Sequence, residues 1–263
     1  MTEFHEMIAM HYRQDELPFV KKMRKVIDDL DACPVYLTEF LTLREQQIVQ
    51  SLLAKTFFHK MVYGGHTQAE RCRILLSADD LRTEPTLSTH EIACLDVSIK
   101  KGAAPLRHAD YLGAILGLGM KREVIGDIRL TENGAFVFCS TRIVDFLLRE
   151  WHQAGRNAIT LALLDDVDES LFKQPTIKEM TVTVKSLRLD AVVGHAFSMS
   201  RTKATEPIRA GLISVNHVTT TDVTTEIALG DIIGFRGNGR ATVIAIGAKS
   251  KKDRIFLTIG RYQ

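Results

Sequence analysis

Eleven side chains in the last third of this 263-residue chain could act together in one kind of chemistry: Arg188, Ser200, Arg201, Lys203, Arg209, Arg236, Arg240, Lys249, Lys251, Lys252 and Arg254. Ten of them are cations, and cations at that density attract phosphate, because neutralising a nucleic-acid backbone releases its condensed counterions. Residues 186–263 hold 11 Lys and Arg against 6 Asp and Glu, a net of +5, while residues 1–185 hold 23 against 26, a net of −3. The basic surplus thus sits where those side chains are, although the whole chain carries only +2. Charge by itself leaves a second reading open, in which Arg188 pairs with Asp190 and Arg201 with Glu206 on an ordinary solvated surface.

Other chemistries fit less well. Asp190 invites an enzymatic reading, since one class of pseudouridine synthases carries its aspartate in an H-R-L-D-x-x-T-S-G loop. Here Leu187 precedes Arg188-Leu189-Asp190, and Val192-Val193-Gly194 follows. The spacing places Asp190 on a helix, with a structural role holding Arg188 or a nearby backbone donor. His5, Glu6 and His11 lack the four-residue histidine spacing of a helical zinc site. Gly237-Asn238-Gly239 joins two predicted strands with no helix after it, so it is a turn and not a nucleotide cradle. Cys33, Cys72, Cys94 and Cys139 form no C-x-x-C pair, which fits a reducing cytoplasm better than a zinc ribbon or a disulfide framework. No apolar run is long enough for a membrane helix, and no cofactor is expected.

The elements that must position the basic residues follow from periodicity. Leu189, Val192, Val193 and Ala196 recur at i, i+3, i+4 and i+7, the stripe of an amphipathic helix with Arg188 free at its head. Ser198 or Ser200 can cap a second helix carrying Arg201, Lys203 and Arg209, with a costly proline inside it at Pro207. At 100° per residue Arg201 and Arg209 stand about 80° apart and Lys203 points elsewhere. Gly211 ends this helix and Leu212 to Asn216 alternates into a strand.

Upstream, Pro18 opens a helix behind Asp15 and Glu16, and Thr42 with Glu45 forms a capping box for another. Strands are expected at Cys72 to Leu76 and Cys94 to Ile99, then a helix at Tyr111 to Leu118 and a hairpin turning at Asn133-Gly134. Thr141 is expected to cap a helix from Ile143 to Trp151, and Ile159 to Leu164 to form a buried strand. The sum is an α+β fold, with a split β-α-β arrangement in the middle. Phe136 and Phe138 alternate on one strand, a pattern more common in a core than on a base-stacking face. The Arg107 to Gly113 and Lys121 to Ile128 segments could grip RNA or simply cap a helix.

Arg188-Leu189-Asp190, Ser200-Arg201, Gly211 and Val215-Asn216 together resemble the signature of the S4 RNA-binding domain. Pro207 departs from that pattern, which places the presentation of Arg209 in question. HYRQDELPF, YLTEFLTLREQ, GGHTQAER, HADYLGAILGLG and KREVIGDI resemble the YlmH family of bacterial S4-domain proteins. The resemblance implies a helical N-terminal region at 1–66, an RRM-like α+β domain at 67–168, a linker at 169–181 and an S4 domain with a β extension at 182–263. It also implies a non-enzymatic, monomeric RNA binder that meets ribosomal RNA and peptidyl-tRNA on the large ribosomal subunit during rescue of stalled ribosomes. The alternative is an RNA-modifying enzyme, a pseudouridine synthase or methyltransferase, targeted by its S4 domain.

Overall fold

The computed structural model describes residues 12–54, 56–173, 176–250 and 253–262. The chain is α+β and divides after Lys173 into two compact units.

The first unit begins with α1 (Leu17–Asp28), entered at Pro18. The Glu16 carboxylate before it is buried and takes Arg44 Nε at 2.9 Å and the Arg13 amide at 3.0 Å. The expected capping box opens α2 (Leu43–Leu53), with the Thr42 side chain on the Glu45 amide and Glu45 returning to the Thr42 amide. This region is not helical alone, as the sequence reading had it. Strands β1 (Val35–Leu37), β2 (His59–Tyr63) and β3 (Arg73–Ser77) form an antiparallel sheet with β3 in the centre. Met23, Ile27, Val49, Leu53, Ile74 and Leu76 fill the space between that sheet and the two helices.

A β-α-β-β-α-β run follows: β4 (Ile92–Ile99), α3 (His108–Gly117), β5 (Ile125–Leu130), β6 (Gly134–Ser140), α4 (Val144–Glu150) and β8 (Asn157–Leu164), with a two-residue β7 (Gln153–Ala154) before the last strand. The sheet order is β5-β6-β4-β8-β7, antiparallel throughout. Leu95, Val97 and Val137 pack with Tyr111, Ile115, Leu147 and Trp151 of the helical layer.

Three expectations in this stretch are corrected. Neither Asn133 nor Gly134 has a positive φ; Gly134 is already the first residue of β6. A Cβ there would lie 1.9 Å from the Val97 carbonyl oxygen, so glycine serves close strand approach and the loop tip falls one residue earlier. Thr141 does not cap α4, because a 3-10 turn over Thr141–Ile143 fills the place of the capped first turn. β8 is nowhere fully buried; Ile159 and Leu161 are half-buried against the helical layer, while Ala158, Thr160 and Ala162, on the opposite face, are exposed.

Over β6 the other sheet face is covered. Phe136 and Phe138 are buried in a cluster with Phe40 and Phe172, so the core reading of the two rings holds. The His66 ring is inserted here, 4.9 Å from the Phe138 ring and 5.3 Å from Phe172. Gly65, at φ +97°, lets the loop pass close over the Phe138 ring, since a Cβ would lie 2.3 Å from that ring. Asp127 then fastens the loop, accepting from His66 Nε2 at 3.2 Å and from the Glu70 and Arg71 amides at 2.8 and 3.1 Å. Arg71 and Arg122 both turn inward to backbone carbonyls, among them Ile125 O, so Arg122 is a structural residue here. Burial pushes the thiols of Cys72, Cys94 and Cys139 up to about 12 each, which keeps them protonated at neutral pH.

The second unit starts inside the segment read as a linker, with β9 (Ile177–Val184) paired along its full length to the last strand, β14 (Ile255–Tyr262). Between them come α5 (Leu189–Ala196), α6 (Arg201–Arg209), β10 (Ile213–Val215), β11 (Val218–Thr219), β12 (Ile232–Phe235) and β13 (Gly239–Lys249). The sheet runs β11-β10-β12-β13-β14-β9. Leu189, Val192, Val193 and Ala196, the stripe expected from spacing, are fully buried against it with Ala204, Ile208 and Leu257. α6 is continuous to Arg209 with Pro207 inside it, and Gly211 follows at φ +67°.

Candidate nucleic-acid interface

The starts of α5 and α6 are joined by one carboxylate. Asp190, in the first turn of α5, is 4% exposed and receives Arg188 Nη2 at 3.0 Å, Arg188 Nε at 3.3 Å and Arg201 Nη2 at 3.1 Å. Arg188 is therefore not free, and Arg201 pairs with Asp190 and not with Glu206. The close turn between the helices allows this: Gly194 lies so near Met199 that a Cβ would sit 3.1 Å from its carbonyl oxygen. The strand-free loop after β11 adds a brace, with the Leu189 amide on Thr225 O at 2.8 Å. Burial works to raise the Asp190 carboxyl, but hydrogen bonds from Arg188 and Arg201, with their charge, outweigh it and hold it below its ordinary value. Asp190 is thus a structural acceptor, and both guanidinium groups keep donors that it does not occupy.

Ser200 is the cap of α6, accepting from the Lys203 amide at 3.2 Å. Lys203 and Arg209 are exposed and form no ion pair among the described residues. Arg236 and Arg240 flank the turn between β12 and β13 and line a shallow groove of about 500 Å³ with Gly211, Ser214, Gly234 and Gly237. Arg240 lies over the Tyr262 ring at 5.5 Å. In the next turn Lys249 Nζ pairs with Asp253 at 2.8 Å, and Arg254 Nη2 donates to Thr183 O. Lys251 and Lys252 lie outside the described residues.

A second cavity, of about 370 Å³, brings Ser200 and Arg201 to Arg254, together with Lys185 and His195. The last two were missed in the sequence. Lys185 precedes the recognisable motif, and the sole signal for His195 is its place off the apolar stripe of α5. Arg261, also missed, stacks over the Phe197 ring at 5.3 Å. Among the described residues no group of histidine, cysteine or carboxylate side chains is arranged to hold a metal ion, and no helix is long and apolar enough to cross a membrane. His5, Glu6 and His11 lie outside the described residues.

Comparison with known proteins adds three findings. Residues 85–167 match the family described as "Putative RNA-binding domain in YlmH". The solved structure of cell division protein ylmH from Streptococcus pneumoniae is 23% identical, with a TM-score of 0.49 over 59% of this chain and 93% of that one. Ribosome-associated protein quality control protein P2 of Bacillus subtilis (strain 168) is 30% identical over 257 residues, which cover 97% of this chain and 98% of the relative. With such overlap on both sides, and the family's own domain matched within it, the chain belongs to the YlmH family.

Proposed function

We propose that this protein is a non-enzymatic RNA-binding protein that acts on the ribosome. The observation that carries the reading is the Asp190 bridge, which fixes Arg188 and Arg201 at two adjacent helix starts with guanidinium donors left over. Positive charge at helix starts suits phosphate, since the helix ends add their own unpaired N–H groups. Lys203, Arg209, Arg236, Arg240, Lys249 and Arg254 add positive charge to the same unit, Lys251 and Lys252 remain candidates on sequence alone, and the unit from β9 to β14 is read as an S4-type domain. The β-α-β-β-α-β order of the first unit supports an RRM-like reading for it. Its sheet face is filled by Phe40 and Phe172, so any RNA it meets is held elsewhere than on Phe136 and Phe138.

The named relative supports the ribosome as the place of action. Within that reading the protein is a cytoplasmic monomer that contacts ribosomal RNA and peptidyl-tRNA on the large subunit, in the rescue of stalled ribosomes. The carboxylate considered for catalysis, Asp190, is spent on two guanidinium groups. The test is sedimentation of tagged protein through sucrose gradients at low and high salt. Co-migration with the large subunit at low salt that is lost at high salt is the expected result; migration at the top of the gradient under both conditions would refute the reading.

A further inference from the structure

The cavity at the junction of α5 and α6 has properties beyond a positive surface. Lys185 follows β9, His195 lies in the last turn of α5, Ser200 and Arg201 open α6, and Arg254 precedes β14, so four separate stretches of chain close on it. Three of these side chains are permanently cationic, His195 adds a ring nitrogen, and none of the lining residues carries a carboxylate. Asp190 accepts from Arg201 Nη2 and is not among the lining residues.

Arg254 supplies an observation that charge alone does not. Its Nη2 is committed to Thr183 O, yet its Nε is buried with no acceptor. With Nη2 tied to that carbonyl, the guanidinium is held in place beside the cavity that Arg254 lines. α6 adds first-turn N–H groups that helix geometry leaves unpartnered; Ser200 Oγ takes only that of Lys203.

We propose that this cavity is a discrete site for the phosphate of one nucleotide, held by Lys185, His195, Arg201 and Arg254. Lys185 and His195 stand outside the residues assigned to the RNA face. About 370 Å³ accommodates a phosphate with its ribose and not a duplex. The inference rests on the RNA-binding reading for its source, an RNA chain; a free nucleotide presents the same chemistry.

The experiment titrates the isotope-labelled full chain with inorganic phosphate, adenosine 5′-monophosphate and a short single-stranded RNA, for wild type and for Lys185→Ala with His195→Ala. Both residues are exposed, so the double variant keeps the fold. Expected are saturable shifts of the Gly194, His195 and Arg201 amides with phosphate and the mononucleotide, weakened about tenfold in the variant, and an RNA salt slope lower by roughly one unit. Saturable mononucleotide binding without RNA binding keeps the site, assigns it to a free nucleotide and refutes the RNA reading. RNA binding with an unchanged slope and no mononucleotide shifts overturns the site and leaves the RNA reading standing. A lower slope without mononucleotide binding makes Lys185 and His195 part of a diffuse track, which also overturns it. No binding of any of the three overturns both.

Discussion

Arg201 Nη2 and Asp190 Oδ2 stand 3.1 Å apart, tying the first residue of α6 to the first turn of α5, and the same oxygen takes Arg188 Nη2 at 3.0 Å. A group with a depressed folded pKa stabilises fully above its unfolded value and loses that contribution as pH falls through the folded one. Asp190 is such a group. Asp190→Asn should lower the stability of the C-terminal unit at pH 7 by about 1.5–3 kcal/mol, the range for hydrogen bonds to a charged group. The wild type should lose the same increment below about pH 4 and the variant should not. Urea denaturation between pH 7 and 2 checks both; parallel pH profiles would show that the bridge is idle.

Removing the two arginines separates anchoring from binding. Arg188→Ala with Arg201→Ala should weaken RNA binding and reduce the salt slope by roughly one unit for each lost phosphate contact. Each single variant leaves Asp190 one partner, so the fold is retained, and a single change should cost about half the slope of the pair. A filter-binding titration with an unchanged slope in the double variant would remove both residues from the RNA face.

The Asp127 hub makes a prediction for the first unit. Its carboxyl is held low: burial opposes this, but the hydrogen bonds from His66 and from the Glu70 and Arg71 amides prevail. Asp127→Ala strips three donors of their acceptor and should destabilise this unit by about 2–4 kcal/mol. Hydrogen exchange at the Glu70 and Arg71 amides should rise before that of β6, and equal protection in variant and wild type would contradict the hub.

Pro207 deprives Lys203 O of its helical donor inside a helix that nonetheless continues to Arg209. Pro207→Ala restores that donor and adds chain entropy to the unfolded state, so the net expectation is a gain of about 1–2 kcal/mol. Thermal unfolding measures it; a loss of stability would mean that the ring's packing outweighs the missing bond.

What the sequence made legible was local. The α5 stripe, the Thr42–Glu45 capping box and the Ser200 cap each depend on residues within one or two turns, and each stands where spacing placed it. Asp190 was expected to hold Arg188, two residues away; Arg201 joins only because the α5–α6 turn folds back at Gly194. Of the N-terminal sheet only its centre, β3, was expected, at Cys72 to Leu76; β1 has three residues and β2 is mostly exposed, so neither shows a clear alternation. Lys185, His195 and Arg254 belong to different elements, and no periodicity connects them.

Phe172 closes the cluster that also holds Phe40, Phe136 and Phe138, while the His66 ring leans on it from the N-terminal loop. During synthesis the chain leaves the ribosome from its N-terminus, and domains fold as units. The sheet of β1 to β3 therefore waits, its loop uncapped, until β8 and the segment bearing Phe172 have emerged. A nascent chain arrested before that point carries the rings of Phe40, Phe136 and Phe138 without the one that completes their cluster.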